Sequence, residues 1–123
     1  MDKKFYITTP IYYPTAKPHM GHAYSSIVAD FFARFKRIDN YNVHFLTGTD
    51  EHGLKIQRSA EKNGDDPQKF CDKISQTFRD LSKTLNLTNT DFIRTTEERH
   101  KKTVQHLWKE LEKNDDIYLS KYS

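Results

Sequence analysis

The sequence predicts an α/β protein in which helices cover a mainly parallel sheet. Short runs rich in β-branched and aromatic residues alternate with longer segments whose apolar residues recur every three or four positions. Proline, glycine and asparagine mark the boundaries between these segments. The predicted order is strand, helix, strand, helix, helix, strand, helix, strand, and such alternation is typical of a parallel sheet.

The first strand is predicted at residues 5–9, where Pro10 ends it. The loop that follows contains two prolines, which exclude a regular helix, yet it carries three large side chains. A purely solvated loop does not need them, so we expect them to line a site. A helix is then predicted from Gly21, and we expect its apolar stripe to lie on the sheet. The stripe consists of Ile27, Phe31, Phe35 and Ile38, widened by Val28 and Phe32.

The remaining elements follow the same logic. A strand is predicted at residues 43–47, a helix at 54–62, and a second helix that Asp66 caps and Pro67 begins. Its stripe is Phe70, Ile74, Phe78, Leu81 and Leu85. A strand at 91–95 precedes a helix that runs to about residue 113, with a capping box between Thr95 and Glu98. Its expected core residues are Val104, Leu107, Trp108 and Leu111. A last strand is predicted at 117–120.

Composition limits the classes of protein to consider. The 123 residues suffice for one domain, and no stretch approaches the roughly 18 apolar residues that a membrane span needs. The start lacks the apolar run of a secretory signal, and the single cysteine, Cys71, excludes an internal disulfide. We therefore expect a soluble, cytoplasmic protein. The net charge of +3 is compatible with contact to RNA, but a solvated surface of mixed charge is the favoured explanation.

A first candidate site lies at the start of the first long helix. The free amides of a helix that follows a parallel strand form a natural phosphate site. His19 and His22 stand three residues apart, so both imidazoles can face one ligand and donate hydrogen bonds to phosphate oxygens. Gly21 has no side chain and lets a base or ribose approach its backbone. No dinucleotide or Walker-type glycine motif is present.

Two other uses of these histidines stay open at this point. His22 could serve only the capping of the helix while His19 is merely exposed. Alternatively, the histidines could hold zinc, which needs three or four ligands; His44 and His52, on the next strand and its loop, are the other candidates.

A second candidate site follows the second strand, at residues 47–53. In a parallel sheet this loop lies at the same edge as the first, where Asp50 can accept hydrogen bonds from a cationic group such as an α-ammonium. Gly48 and Gly53 are typical of backbone that packs against a ligand. As alternatives, Asp50 could cap the next helix, and Glu51 and His52 could be solvated.

Several strings, taken together, are similar to those of one family. They are TTPIYY at residues 8–13, PHMGHAY at 18–24, Ala29 with Asp30, FLTGTDEHG at 45–53 and FIRTTEERH at 92–100. The chain resembles bacterial methionyl-tRNA synthetases over nearly its whole length. The His-x-Gly-His element alone marks only class I synthetases and related nucleotidylyltransferases, whereas the flanking strings are specific for the methionine enzymes. The resemblance implies the first half of a Rossmann-like, parallel-sheet class I synthetase catalytic domain.

The resemblance also implies an activity. Methionine attacks the α-phosphate of ATP, used with Mg²⁺, and the resulting methionyl-adenylate passes its methionyl group to tRNA(Met). On the family pattern, His19 and His22 are catalytic and bind the ATP phosphates. Gly21 lies under the adenosine, and Pro18 and Tyr12 complete the ATP site.

The same pattern implies a methionine site. Ile11 and Tyr13 line it, Asp50 binds the ammonium, and His52 and Gly53 lie near the ligands. The chain lacks the lysine-bearing loop of the Lys-Met-Ser-Lys-Ser type, so we expect a fragment that is inactive alone.

The expected domain division follows from the family. Residues 1–115 form the first half of the catalytic domain, and 116–123 begin a connective insertion. No metal ligand is assigned in this chain, because any zinc would belong to the downstream region. A stand-alone nucleotidylyltransferase and a non-catalytic RNA- or protein-binding domain remain as alternative functions.

Overall fold

The computed structural model describes residues 3–121, which form three strands and four helices. In chain order these are β1 (Lys4–Thr8), α1 (Met20–Ile38), β2 (Asn42–Thr49), α2 (Leu54–Lys62), α3 (Pro67–Thr84), β3 (Asp91–Arg94) and α4 (Glu98–Lys113). The strands form one sheet in the order β1–β2–β3, and both neighbouring pairs are parallel. The predicted α/β fold is therefore confirmed. No helix in this part of the chain is long and apolar enough to cross a membrane.

Helix α1 lies on the sheet through its small residues. Ala29 and Ala33 are buried and form a core cluster with Val43 and Phe45 of β2. Small side chains let the helix approach the strands closely, so the large side chains of the sheet fill the interface. Asp30 on the same face is also buried, and it accepts hydrogen bonds from the Nε of Arg34, at 2.6 Å, and from residue Thr88.

The predicted packing face of α1 is therefore wrong. The large apolar side chains that were expected to lie on the sheet are all exposed, with Phe31 64% and Ile38 80% accessible. They are Ile27, Val28, Phe31, Phe32, Phe35 and Ile38. Periodicity identified an apolar face correctly, but the residues that contact the sheet are the smaller ones on another side of the helix.

Helix α3 packs as its sequence predicts. Asp66 is its N-cap, because its carboxylate accepts hydrogen bonds from the N–H groups of Gln68 and Lys69, at 3.1 and 3.2 Å. Phe78 is buried against Phe92 of β3. Phe92 pairs with Thr47, and Thr47 lies two residues after Phe45 on β2, so Phe92 and Phe45 are on one face of the sheet. Helices α1 and α3 therefore cover the same face.

Three predictions about the C-terminal part are wrong. The N-cap of α4 is Glu97 and not Thr95, and no side chain caps the helix, because the hydroxyl of Thr95 is used elsewhere. None of the residues of α4 is buried. The four expected core residues are exposed or at the margin of exposure: Val104, Leu107, Trp108 and Leu111. Residues 116–121 have no regular structure, so the strand expected at 117–120 is not formed.

Gly48 is required by the sheet itself. A Cβ atom at this position would lie 2.0 Å from the carbonyl oxygen of Ile93 on β3. The backbones of β2 and β3 therefore meet where any side chain would be in the way. The adjacent strand therefore accounts for the glycine, and packing of the Gly48 backbone against a ligand stays a prediction.

We expect Gly48→Ala to lower the free energy of unfolding by about 1–3 kcal/mol or more, because the clash is with backbone that cannot rotate away. Urea unfolding of the purified protein measures this. Gly64→Ala is the matched control, since Gly64 has a φ of +69° but open space around it, and strain alone costs roughly 1–2 kcal/mol. A smaller loss for Gly48→Ala than for Gly64→Ala would contradict this explanation.

Candidate nucleotide and amino-acid site

The two predicted loops meet at the carboxyl edge of the sheet. The N–H of Tyr12 donates to the carbonyl of Gly48 at 3.0 Å, and the N–H of Asp50 donates to the carbonyl of Tyr12 at 2.9 Å. These bonds form a parallel bridge between Tyr12 and Thr49, which continues the pairing of β1 with β2. The backbone alone therefore holds the first loop beside the end of β2.

His19 and His22 together cap the start of α1. The Nδ1 atom of His19 accepts a hydrogen bond from the N–H of Gly21, and the Nδ1 atom of His22 accepts one from the N–H of His19, both at 3.0 Å. The ring centroids are 3.9 Å apart. Capping is thus one role of both histidines, and it fixes their rings side by side.

This capping also determines where the protons lie. A ring nitrogen that accepts a hydrogen bond carries no hydrogen, so a neutral imidazole with an accepting Nδ1 has its proton on Nε2. His19 and His22 therefore both offer an Nε2–H donor. Partial burial and the neighbouring His19 lower the pKa of His22, which favours this neutral form.

Gly21 keeps the His19 ring in place. A Cβ atom there would lie 2.9 Å from Cε1 and 3.1 Å from Nδ1 of His19. A larger residue would push the imidazole away from the helix start, and the cap and the Nε2–H direction would change together.

Tyr12 packs against the His22 ring. It is 7% exposed, stacks on Phe78, and contacts the edge of the His22 ring at a centroid distance of 4.7 Å. Its hydroxyl lies 3.0 Å from the Oγ of Ser26. Tyr12 is therefore first a core residue, and only part of it reaches the site.

A cleft of about 280 Å³ opens above these rings. Its lining includes His19, His22, Ile11, Tyr13 and Lys17. Ile11 and Tyr13 are 44% and 53% exposed, so their side chains are available to a ligand. Pro18, between Lys17 and the helix, is partly buried. A groove of about 600 Å³ beside α3 is larger, but the two loops contribute nothing to it.

Glu51 is a buried carboxylate, which the sequence analysis did not predict. Its side chain is fully buried and accepts hydrogen bonds from Nε of Arg94 at 2.7 Å, Oγ1 of Thr49 at 2.8 Å and Oγ1 of Thr96 at 2.5 Å. The bond to Glu51 raises the pKa of Arg94 above its usual range. The alternative of a solvated Glu51 is therefore excluded. The sequence alone does not indicate its burial, since Arg94 and Thr96 lie more than forty positions away.

Asp50 and His52 flank this buried carboxylate. Asp50 does not cap α2, whose N-cap is Gly53, and its Oδ1 atom lies 3.3 Å from the hydroxyl of Thr95. His52 is exposed, and its Nε2 atom lies 3.2 Å from the carbonyl oxygen of Thr95. Gly53 has a φ of +109° and no atom near its Cβ position.

The geometry does not assemble a zinc site from the histidines. His44 stacks on Tyr6, its partner on β1, and it alternates with Val43 and Phe45, so it lies on the opposite face from α1. Within residues 3–121 no three His, Cys, Asp or Glu side chains converge as a metal site. Cys71 is buried, and burial raises the pKa of its thiol to about 11.

Comparison with known proteins first gives the class. The family described as tRNA synthetases class I (M) matches residues 5–123. The fold is also that of a LeuRS–tRNA–LeuAMS ternary complex from Agrobacterium radiobacter K84, with a TM-score of 0.81 at 24% identity over 95% of this chain and 15% of that one. The family match thus assigns residues 5–123 to the class I tRNA synthetases.

Similar proteins then give the family. Methionine–tRNA ligases of Mesorhizobium japonicum and Thermotoga maritima are 52% and 54% identical over 98% and 97% of this chain. A Mycobacterium tuberculosis methionyl-tRNA synthetase in complex with methionyl-adenylate matches with a TM-score of 0.95 at 45% identity, over 98% of this chain and 24% of that one. The chain belongs to the methionyl-tRNA synthetase family. It spans 23% and 19% of the length of the two ligases.

We expect acid to weaken the start of α1. The folded protein has a lowered pKa for His22, so its contribution to stability is complete above the ordinary histidine value of about 6.5. It is lost below that value, as the pH falls through the lowered pKa of the folded state. Unfolding measured at neutral and acidic pH should show a larger loss for the wild type than for His22→Gln. The other histidines cancel in this comparison. Equal losses in the two proteins would contradict the assignment.

Proposed function

We propose that this chain is part of a methionine–tRNA ligase, which activates methionine with ATP and transfers it to tRNA(Met). The observation that carries the proposal is the pair of Nε2–H donors on His19 and His22 beside the cleft. Asp50 is held by backbone at the neighbouring loop. A polyanion and an ammonium group thus have complementary partners in adjoining loops.

At the ATP end, His19 and His22 bind the phosphates and act in catalysis. Neutral Nε2–H groups at a helix start add to the partial positive charge of the free amides. Gly21 lies under the adenosine and Pro18 belongs to the ATP site, as the resemblance to the family implies. Tyr12 contributes by supporting the His22 ring.

At the methionine end, Asp50 accepts the ammonium. Ile11 and Tyr13 contact the apolar side chain, since both are exposed in the cleft. His52 stands at the border of this region through its contact with Thr95. Each role is the one that the resemblance to the family implies, and the chemistry of the side chain supports it.

The reaction needs electrostatic stabilisation and positioning rather than proton transfer. An oxygen of the methionine carboxylate attacks the α-phosphorus, and the bond to the bridging oxygen breaks, releasing pyrophosphate. The attacking carboxylate is already ionised, so no general base is required. Donors that strengthen their bonds as charge builds on the pentacoordinate phosphorus lower the barrier.

The proposal extends to the setting of the enzyme. ATP acts with Mg²⁺, the enzyme is cytoplasmic, and tRNA(Met) receives the methionyl group. Residues 1–115 belong to the catalytic domain, and 116–123 begin a connective insertion. Any zinc is held outside this chain.

The first test is methionine-dependent exchange of pyrophosphate into ATP. We expect exchange by the full-length enzyme and none by the 123-residue chain alone, because it spans only about a fifth of the length of its relatives. Exchange that other amino acids support as well as methionine would argue for a different substrate. Exchange by the isolated chain would show that it holds a complete site.

His19→Ala in the full-length enzyme is expected to lower the rate of adenylate formation by about 10²–10³-fold, as for loss of one transition-state donor. Methionine affinity should change little. His19→Asn is the matched control for capping, because asparagine is a good N-cap but lacks the Nε2–H reach. It should restore stability without restoring the rate. An unchanged single-turnover rate in His19→Ala would rule out the assigned role.

A further inference from the structure

Thr95 is a buried residue at the end of β3 whose main chain and side chain are both hydrogen-bonded. It is 4% exposed, and its N–H donates to the carbonyl of Thr49 at 3.1 Å. The residues on either side of it, Arg94 and Thr96, both donate to the buried carboxylate of Glu51. The backbone of Thr95 therefore has little freedom to move.

The hydroxyl of Thr95 has one proton and two neighbours. It accepts a hydrogen bond from the N–H of Glu51 at 2.8 Å, so its own proton is directed to the other neighbour. That neighbour is Oδ1 of Asp50, at 3.3 Å. The bond engages Oδ1, leaves Oδ2 of Asp50 free of Thr95, and so limits the rotation of the carboxylate.

The carbonyl of Thr95 acts on the second residue of the loop. It can only accept, so Nε2 of His52, 3.2 Å away, must carry a hydrogen. In the neutral imidazole Nδ1 is then an acceptor. One residue thus orients Asp50 through its side chain and His52 through its main chain.

We propose that Thr95 is the positioning residue of the amino-acid site, and that its hydroxyl aims the Asp50 carboxylate at the substrate ammonium. The proposal rests on the proposed function, in which Asp50 binds that ammonium. Thr95 does not touch the reacting atoms. Its effect should therefore appear in recognition of the ammonium and not in recognition of ATP.

Thr95→Val in the full-length enzyme removes the hydroxyl at nearly constant volume. We expect the KM for methionine in pyrophosphate exchange to rise about tenfold, the lower end for a hydrogen bond to a charged group. The KM for ATP should not change. Thr95→Ser keeps the hydroxyl and should behave like the wild type.

Two inhibitors separate positioning from general damage. Methioninol keeps the ammonium, so Thr95→Val should weaken its inhibition about as much as it weakens methionine binding. The desamino analogue of methionine has no ammonium, so its inhibition should be equal in the two enzymes. Equal weakening of both inhibitors would overturn the proposal, as would an unchanged KM for methionine.

Thr90→Val is the matched structural control. Thr90 precedes β3 at the opposite end from Thr95, and its hydroxyl also bonds main-chain groups, those of Phe45 at 2.9 and 3.1 Å. It should lower thermal stability without changing the KM for methionine. A raised KM for methionine in Thr90→Val, matching that of Thr95→Val, would overturn the proposal.

The outcomes distinguish this proposal from the proposed function. If Thr95→Val does not fold, Thr95→Cys, with a weaker donor of similar size, should show an intermediate KM for methionine, and a wild-type value would overturn the proposal. A Thr95→Ser enzyme as defective as Thr95→Val would also overturn it. A wild-type enzyme without methionine-dependent exchange would instead refute the proposed function.

Discussion

The buried carboxylate of Glu51 is the interaction on which the functional edge of the sheet depends. It joins the end of β2 to the end of β3, and Arg94 extends the connection to Asp72 of α3 at 2.6 Å. A carboxylate without solvent is tolerated only when it is paired and fully hydrogen-bonded, and removing one partner of such a pair costs about 3–5 kcal/mol. The loop residues on either side of Glu51 are therefore held in position by a buried, fully hydrogen-bonded group.

A different constraint fixes the start of α1. Here the two histidines cap the helix through Nδ1, and the same bonds determine that Nε2 carries the proton. The capping interpretation and the phosphate interpretation of His19 and His22 are therefore not rivals. Capping prepares the donors before any ligand arrives, which reduces the reorganisation that binding would otherwise require.

The fold class was predictable because apolar residues repeat with different periods in strands and helices. The Asp66 cap and the apolar face of α3 that includes Phe78 were predictable because both depend on residues close in sequence. The element that covers an apolar face was not predictable. Spacing shows that Phe31 and Trp108 each share a helix face with other apolar residues, but it does not show what packs against that face. Both are exposed in the described chain. The prediction that Thr95 caps α4 was wrong for another reason. Its sequence neighbours suggested a helix cap, but its hydroxyl has partners 44 and 45 positions away. The meeting of the two loops was predictable, because parallel strands place their carboxyl ends at one edge.

The two ends of the site are built in opposite ways, and this difference follows from their charges. Donors for an anion can be neutral, so His19 and His22 sit at a half-open helix start with little desolvation to offset. Asp50 is half-buried, and the fully buried position beside it is occupied by Glu51, which has Arg94 as its counter-charge. The two acids carry the same charge, so the difference between them lies in their partners: Arg94 neutralises Glu51, whereas the Asp50 carboxylate accepts from the neutral hydroxyl of Thr95.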